Sequence, residues 1–259
     1  MLHHKKPLIG NTKHLLVKYV NISVTNACNL KCGGCTQHCD LFHKKEKWFI
    51  SIEQLKNNIE VLLYPNKGLP NRGLIGIFGG EPTIHPKFKE ILELISSYQH
   101  GFCVFTNGIK KLPILPRNVG CVLNSKDKNS QRNFCASMIA SHDIYKFKNK
   151  IDYWNLAKKE CYMWRTCWSI IYDNKAYLCE PAAAIDRLKL GKRNWNKNKG
   201  WDLILGKNPF NKTEKEIAKQ AENFCYRCGC CTHKYQKSSE KTIVTPTNYD
   251  LLNLKTDFL

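Results

Sequence analysis

The sequence predicts an α/β protein built on a parallel sheet, followed by a smaller cysteine-rich part. Three observations carry this. Short apolar runs alternate with amphipathic helical stretches in the order β-α-β-α-β-β. Glycine- and cysteine-bearing loops follow the first two runs, at the carboxyl ends of the expected strands, where such sheets carry their function. Seven of the 14 cysteines lie beyond residue 160.

The elements follow in order. Residues 1–16 form a basic lead-in. Val17 to Val24 alternate and are rich in β-branched residues, so they predict a strand. A loop with Gly33, Gly34 and four cysteines follows. Ser51 opens a helix as a capping box with Gln54, and Ile52, Leu55, Ile59 and Leu62 recur at helical spacing. After a turn at 65–70, Leu74 to Phe78 reads as a buried strand ending in Gly79-Gly80-Glu81-Pro82. Pro86 sits at the start of the next helix, with Phe88, Ile91, Leu92, Leu94 and Ile95 as its apolar face. Phe102 to Phe105 and Val119 to Leu123 are the third and fourth strands.

Residues 124–159 are polar, with helical signals near Cys135–His142 and Ile151–Lys159. Trp168–Tyr172 and Lys175–Leu178 flank a turn at Asp173-Asn174 and predict a hairpin between Cys167 and Cys179. Residues 191–213 read as a loop, and Glu214 to Glu222 as a helix running into Cys225, Cys228, Cys230 and Cys231. The polar tail 234–259 is expected along the surface.

The 259 residues are 42% hydrophobic and 24% charged, which excludes a disordered chain, a collagen and a coiled coil. No apolar run is long enough to span a bilayer, and the N-terminus lacks the apolar stretch of a signal peptide. A cytoplasmic protein, with no membrane partner, is expected. In that compartment cysteines point to metal or redox chemistry rather than disulfides. Forty-one lysines and arginines against 21 acids give a net charge of +20. This favours an anionic partner, although a solvated lysine- and asparagine-rich surface gives the same sum.

Cys28, Cys32 and Cys35 stand at C-x3-C-x2-C spacing just after the first strand. Thiolates are the ligands of iron–sulfur clusters, and three on a four-iron cluster leave one iron open for a substrate or cofactor. Zinc is the alternative, with Cys39 or His38 as a fourth ligand.

With Gly79-Gly80-Glu81-Pro82 after the second strand, the chain resembles the radical S-adenosylmethionine (radical SAM) superfamily, best over residues 17–125. The resemblance implies a [4Fe–4S] cluster on Cys28, Cys32 and Cys35, with S-adenosylmethionine chelating the fourth iron. Gly79, Gly80 and Glu81 would take its methionine amino group, through a backbone carbonyl and a carboxylate. Thr106 would meet its carboxylate, with Arg132 a further candidate, and Asn124 and Ser125 its ribose. A reductant such as flavodoxin or ferredoxin is the implied electron donor. One departure stands out: the residue before the third cysteine is usually aromatic in this family, but here it is Gly34. His38 or His43 is the substitute candidate for the adenine platform, and Cys39 reads as a free buried thiol.

Cys167 and Cys179 around the hairpin, then Cys225 and Cys228, resemble the SPASM or Twitch extensions of the same superfamily, which hold an auxiliary cluster. The choice between Cys161 and Cys167, and between Cys225, Cys228, Cys230 and Cys231, stays open, as does a zinc ribbon on the same positions. The resemblance implies a partial (β/α) barrel of five or six parallel strands over 17–160, with the auxiliary domain over 161–233. The implied chemistry is reductive cleavage of S-adenosylmethionine to a 5′-deoxyadenosyl radical that abstracts hydrogen, with oxidoreductase-type outcomes expected. Only 27 residues precede Cys28, too few for a leader-peptide-binding domain, so an anionic small molecule or nucleotide is the expected substrate. The alternatives are a nucleic-acid- or peptide-modifying enzyme of the same chemistry, and a non-catalytic zinc or iron–sulfur nucleic-acid-binding protein.

Overall fold

The computed structural model describes residues 19–42, 46–64, 74–124, 133–166, 168–189 and 197–248. Its centre is a seven-stranded sheet in the order β4-β3-β2-β1-β6-β7-β8. The strands are β1 (Tyr19–Ser23), β2 (Leu74–Phe78), β3 (Phe102–Thr106), β4 (Val119–Leu123), β6 (Trp168–Tyr172), β7 (Lys175–Tyr177) and β8 (Trp201–Asp202). β4, β3, β2, β1 and β6 run parallel, and β7 and β8 are antiparallel. The five parallel strands match the predicted number. Their order does not follow the chain, because the fifth joins the free edge of β1.

That fifth strand comes from the hairpin placed in the auxiliary domain. Tyr19 pairs with Trp168 and Ser23 with Tyr172, so the sheet runs across the division expected at 160/161.

Strand alternation sends Val20, Ile22, Ile75, Ile77, Phe102 and Val104 to one face. There they pack on Leu55 and Ile59 of α1 (Ile52–Leu63) and Ile91 and Ile95 of α2 (Phe88–Ser96). Ser51 caps α1 through its Oγ, which accepts from the Gln54 backbone at 3.0 Å. The Gln54 side chain instead donates to Asn58, at 2.7 Å, so only half of the expected capping box forms. α2 starts at Phe88 rather than Pro86, since a 3-10 turn at Pro82–Ile84 precedes it and His85 Nδ1 accepts from the Lys87 backbone.

On the opposite face Ile170 and Tyr172 enter a second core. It is built with Tyr153 and Trp154 of α4 (Lys150–Glu160), Ala182 and Ala183 of α6 (Glu180–Lys189) and Phe224 of α7 (Glu214–Phe224). Two short helices, α3 (Ser141–Ile144) and α5 (Tyr162–Thr166), are also present. α7 carries a complete capping box, Thr213 with Glu216.

Two expectations are corrected. The segment from Cys135 does not open as a helix: β5 (Asn133–Cys135) pairs antiparallel with β9 (Tyr235–Lys237). The described part of the tail, 234–248, does not lie wholly along the surface, since Gln236 and Asn248 are buried. The Asn248 amide donates to the carbonyls of Met138 and Arg227, both at 2.7 Å. The helical signal near Cys135 is overridden by a strand partner one hundred residues away.

Candidate active site and cysteine centres

The loop after β1 is held by its neighbours before any ligand is considered. Thr25 Oγ1 donates to the Trp48 carbonyl at 2.6 Å and accepts from the Ala27 backbone at 2.9 Å. Asn26 clamps the same segment, accepting from the Trp48 N–H at 2.7 Å and donating to the Glu46 carbonyl at 2.9 Å. The loop after β2 docks beside it: Gly80 N–H donates to the Thr25 carbonyl and Glu81 N–H to the Ala27 carbonyl, both at 2.8 Å. The approach needs glycine. A Cβ on Gly79 would stand 2.3 Å from the Thr25 oxygen, and one on Gly80 2.0 Å from the Ala27 oxygen. Gly79 also has φ +139°, a region L side chains rarely adopt. The Gly79-Gly80 pair thus fastens the cysteine loop to the sheet.

Glu81 is buried and its carboxylate is fully engaged. Oε1 accepts from Thr83 N (3.1 Å), Thr83 Oγ1 (2.7 Å) and Thr106 Oγ1 (2.8 Å), and Oε2 accepts from Asn107 N (2.7 Å). Thr106, expected to face a carboxylate of S-adenosylmethionine, here serves Glu81. Asn107 then reaches the cysteine loop: its Nδ2 donates to Asn29 at 2.8 Å and lies 4.0 Å from Cys28 Sγ. The Leu30 N–H also points at that sulfur, at 3.4 Å. Asn124 closes the row, its N–H donating to the Thr106 carbonyl at 2.8 Å. Ser125, Arg132, His43 and Cys167 lie outside the described residues.

The donor set fits an iron–sulfur cluster. Cys28, Cys32 and Cys35 share one loop, with N–H groups aimed at a sulfur, and the buried His38 Nδ1 beside them has no hydrogen-bond partner among the described residues. Cys39 is buried, with its thiol held far above the usual range by a hydrogen bond to Cys35 and by burial.

Gly34 has a physical explanation. Its φ is +66°, and a Cβ there would lie 3.0 Å from Phe134 Cβ and 3.3 Å from Gln236 Cβ. The β5–β9 ribbon fills the space an aromatic ring would take. Gly33 N–H donates to the Ser238 carbonyl at 3.1 Å. His38 is fully buried, 3.4 Å from Ser137 Oγ, and burial lowers its pKa to about 3.

The second cysteine group forms behind the hairpin. Cys161, Cys179, Cys225, Cys228, Cys230 and Cys231 line one apolar cavity with Trp154 and Phe224. Burial pushes Cys161 up to about 12, with Cys228 the next cause, and drives Cys179 and Cys225 well above their ordinary range. Such a crowd of buried thiols ionises readily only against a compensating positive charge. Among the described residues no three His, Cys, Asp or Glu side chains gather at the spacing of a single metal ion; the thiols surround a cavity instead. The Cys228 thiol adds to the rise of Cys161, Cys179 and Cys225, and Cys161 adds to that of Cys179 and Cys225.

Sequence reasoning missed two links between the groups. Glu180, next to Cys179, accepts from Asn21 Nδ2 at 2.7 Å and from Thr36 Oγ1 at 3.0 Å, and burial pushes its pKa up to about 7. An acid directly after a cysteine at a helix start was the available signal. Ser137 lies between His38 and Gly229, whose N–H donates to the Ser137 carbonyl at 3.1 Å. No sequence signal marked it.

Comparison with known proteins gives consistent results. Residues 22–116 match the family model described as the radical SAM superfamily. GTP 3′,8-cyclase from Haemophilus ducreyi is 30% identical over 94 residues, 36% of this chain and 26% of that protein. Mycofactocin maturase MftC from Mycobacterium tuberculosis is 31% identical over 90 residues, 35% of this chain and 21% of that protein. The matches thus span about a quarter of the length of these relatives. A crystal structure of BtrN in complex with AdoMet and 2-DOIA aligns over 82% of this chain and 92% of that one, with 13% identity and a TM-score of 0.46. Among the described residues no helix is long and apolar enough to cross a membrane.

Proposed function

We propose that this chain, whose residues 22–116 match the model of the radical SAM superfamily, is an enzyme that reductively cleaves S-adenosylmethionine and abstracts hydrogen from an anionic small molecule or nucleotide. The observation that carries the reading is the docking of the Cys28–Cys35 loop on the Gly79-Gly80-Glu81 loop, with backbone hydrogen bonds of 2.8 Å from Gly80 and Glu81. When bound, a [4Fe–4S] cluster on Cys28, Cys32 and Cys35 would supply the single electron that breaks the S–C5′ bond of S-adenosylmethionine.

The chain's own residues orient and shield. Glu81 gathers the ends of β2 and β3 into one rigid rim, so the cofactor would meet fixed backbone groups rather than mobile ones. The carboxylate already accepts four hydrogen bonds, which leaves the carbonyls of the glycine loop as the stronger candidates for the methionine amino group. Beyond the rim, Phe78 and Phe105 pack edge to face at 5.4 Å, and β4 leaves Gly120 to Leu123 exposed. The exposed sheet edge beside this aromatic pair would suit a planar, partly apolar substrate. The +20 charge and the nucleotide in the name of the GTP 3′,8-cyclase relatives support an anionic one.

The C-terminal cavity would hold an auxiliary cluster on four of the six cysteines that line it, Cys161, Cys179, Cys225, Cys228, Cys230 and Cys231, with Cys167, outside the described residues, a further candidate. Anaerobically reconstituted protein is expected to hold about eight irons if both centres form. Cys28/Cys32/Cys35→Ala should keep about four of them and lose all formation of 5′-deoxyadenosine. Cleavage at the wild-type rate in that variant would refute the catalytic assignment. One zinc and no iron in it would make the C-terminal centre structural.

A further inference from the structure

Three stretches of the cysteine loop are tied to three different parts of the molecule. At the Cys28 end Asn107, beyond β3, donates to Asn29 at 2.8 Å. Further along, Gly33 N–H donates to the Ser238 carbonyl at 3.1 Å. At the Cys35 end the tie runs to Glu180. Thr36, the residue after Cys35, donates through Oγ1 to Glu180 Oε2 at 3.0 Å. The other carboxylate oxygen, Oε1, accepts from Asn21 Nδ2 of β1 at 2.7 Å. Glu180 and Asn21 are each 3% exposed, so the carboxyl group has given up its hydration and the two donors replace it.

The sheet makes room for this bridge. Asn21 stands beside Gly76 in the parallel pairing of β1 with β2. A Cβ on Gly76 would collide with Asn21 Oδ1 and press on the Phe105 ring. The glycine therefore lets the Asn21 carboxamide lie over β2 with its amide turned to Glu180. Glu180 itself opens α6 just beyond the β6–β7 hairpin, whose first strand pairs with β1 along its length. The sheet thus sets where the carboxyl group stands, and Thr36 brings the loop to it.

We propose that Glu180 is a positioning residue for the catalytic cluster: through its hydrogen bond with Thr36 it fixes where Cys35 presents its sulfur, and with it how the cluster meets S-adenosylmethionine. The inference rests on the assignment of Cys28, Cys32 and Cys35 to that cluster. The role needs a hydrogen-bonding group of the right length at position 180, not a charge. A glutamine there accepts from Asn21 through its oxygen and donates to the Thr36 hydroxyl through its NH2, since a hydroxyl both gives and takes. An alanine leaves the Asn21 amide without its acceptor and the Thr36 side chain untethered. Groups that orient metal ligands from behind typically contribute about 10–100-fold to metal affinity or activity.

The test uses the full chain, reconstituted anaerobically with iron and sulfide, as wild type, Glu180→Gln, Glu180→Ala and Thr36→Val. Melting temperature and iron content are recorded for each. The reduced protein is then titrated with S-adenosylmethionine and followed by electron paramagnetic resonance, because a cluster with an open iron changes its spectrum when that iron gains a ligand. The expected result is an altered ligand-dependent spectrum and roughly tenfold weaker binding in Glu180→Ala and Thr36→Val, with Glu180→Gln restoring most of the affinity. A wild-type spectrum and affinity in both damaged variants would overturn the proposal. So would a lower melting temperature as the sole change, which marks a tie that only holds the fold together. Glu180→Gln as weak as Glu180→Ala would overturn it too, since charge rather than hydrogen bonding would then govern the position. If Glu180→Ala does not fold, Thr36→Val decides, because it removes one hydroxyl from a half-buried loop residue and keeps the side-chain volume. The underlying reading fails separately: no S-adenosylmethionine-dependent spectrum in the wild type would refute the cluster assignment, and the proposal with it.

Discussion

Glu81 shows how one side chain organises the rim of the site. Its two oxygens accept from Thr83, Thr106 and Asn107, all within 3.1 Å, in a position shut off from water. Glu81→Gln keeps the shape but replaces one acceptor oxygen with an NH2 that faces donors. Leaving buried donors unpaired costs about 2–3 kcal/mol, and the urea midpoint should fall accordingly. An unchanged midpoint would mean that the rim is held by other contacts. Lys189 makes the opposite case. It is 1% exposed, and burial first, then Arg227, lowers its pKa from 10.5 to about 7. With the folded pKa below the unfolded one, its contribution to stability is complete above pH 10.5 and is lost as pH falls towards 7. Lys189→Met should therefore gain most over the wild type near pH 7, and the gain should shrink as pH approaches 10. A gain independent of pH would show that the lysine is not held neutral in the fold.

At the scale of elements, backbone contacts decide more than side chains do. Gly80→Ala would drive a Cβ into the Ala27 carbonyl, and backbone cannot yield as a rotamer can. Overpacking of this kind costs roughly 1–3 kcal/mol. For a chain of this size the melting temperature should drop by roughly 2–10 °C, and iron held by Cys28, Cys32 and Cys35 should fall with it. Full iron content at the wild-type melting temperature would remove the glycine loop from the account of the site. β1 to β4, α1 and α2 were legible because their signals are local: alternation, helical spacing and the Ser51 cap all act within a few residues. β5 and β9 were not, since each is short, polar and stable only against the other. Gly34 was noticed as a departure, but its reason lay in Phe134 and Gln236, which no spacing in the cysteine loop could reveal.

At the scale of the whole molecule, one sheet joins the regions that carry the two cysteine groups. The boundary at 160/161 came from the family resemblance, which is strong over 17–125 and returns with the cysteines beyond 160. Periodicity says nothing about which strand a hairpin will join. In the structure β6 pairs with β1 along all five residues, from Tyr19–Trp168 to Ser23–Tyr172. Asn21, buried on β1, gives its amide to Glu180, and Leu41 and Phe42 from the catalytic loop sit in the core built by α4, α6 and α7. A chain ending at residue 160 would open the edge of β1, strand the Asn21 amide and strip the β9 side from Gly33 and Gly34. Each loss exposes buried apolar surface or an unpaired polar group, so the remaining strands lack the burial that offsets chain entropy. The 1–160 fragment should therefore give no cooperative thermal transition and no near-ultraviolet circular dichroism, whereas the full chain should melt in a single transition. A fragment that melts cooperatively at the full-length temperature would show that the first four strands, α1 and α2 fold as an independent unit, and that the parallel pairing of β6 with β1 contributes little.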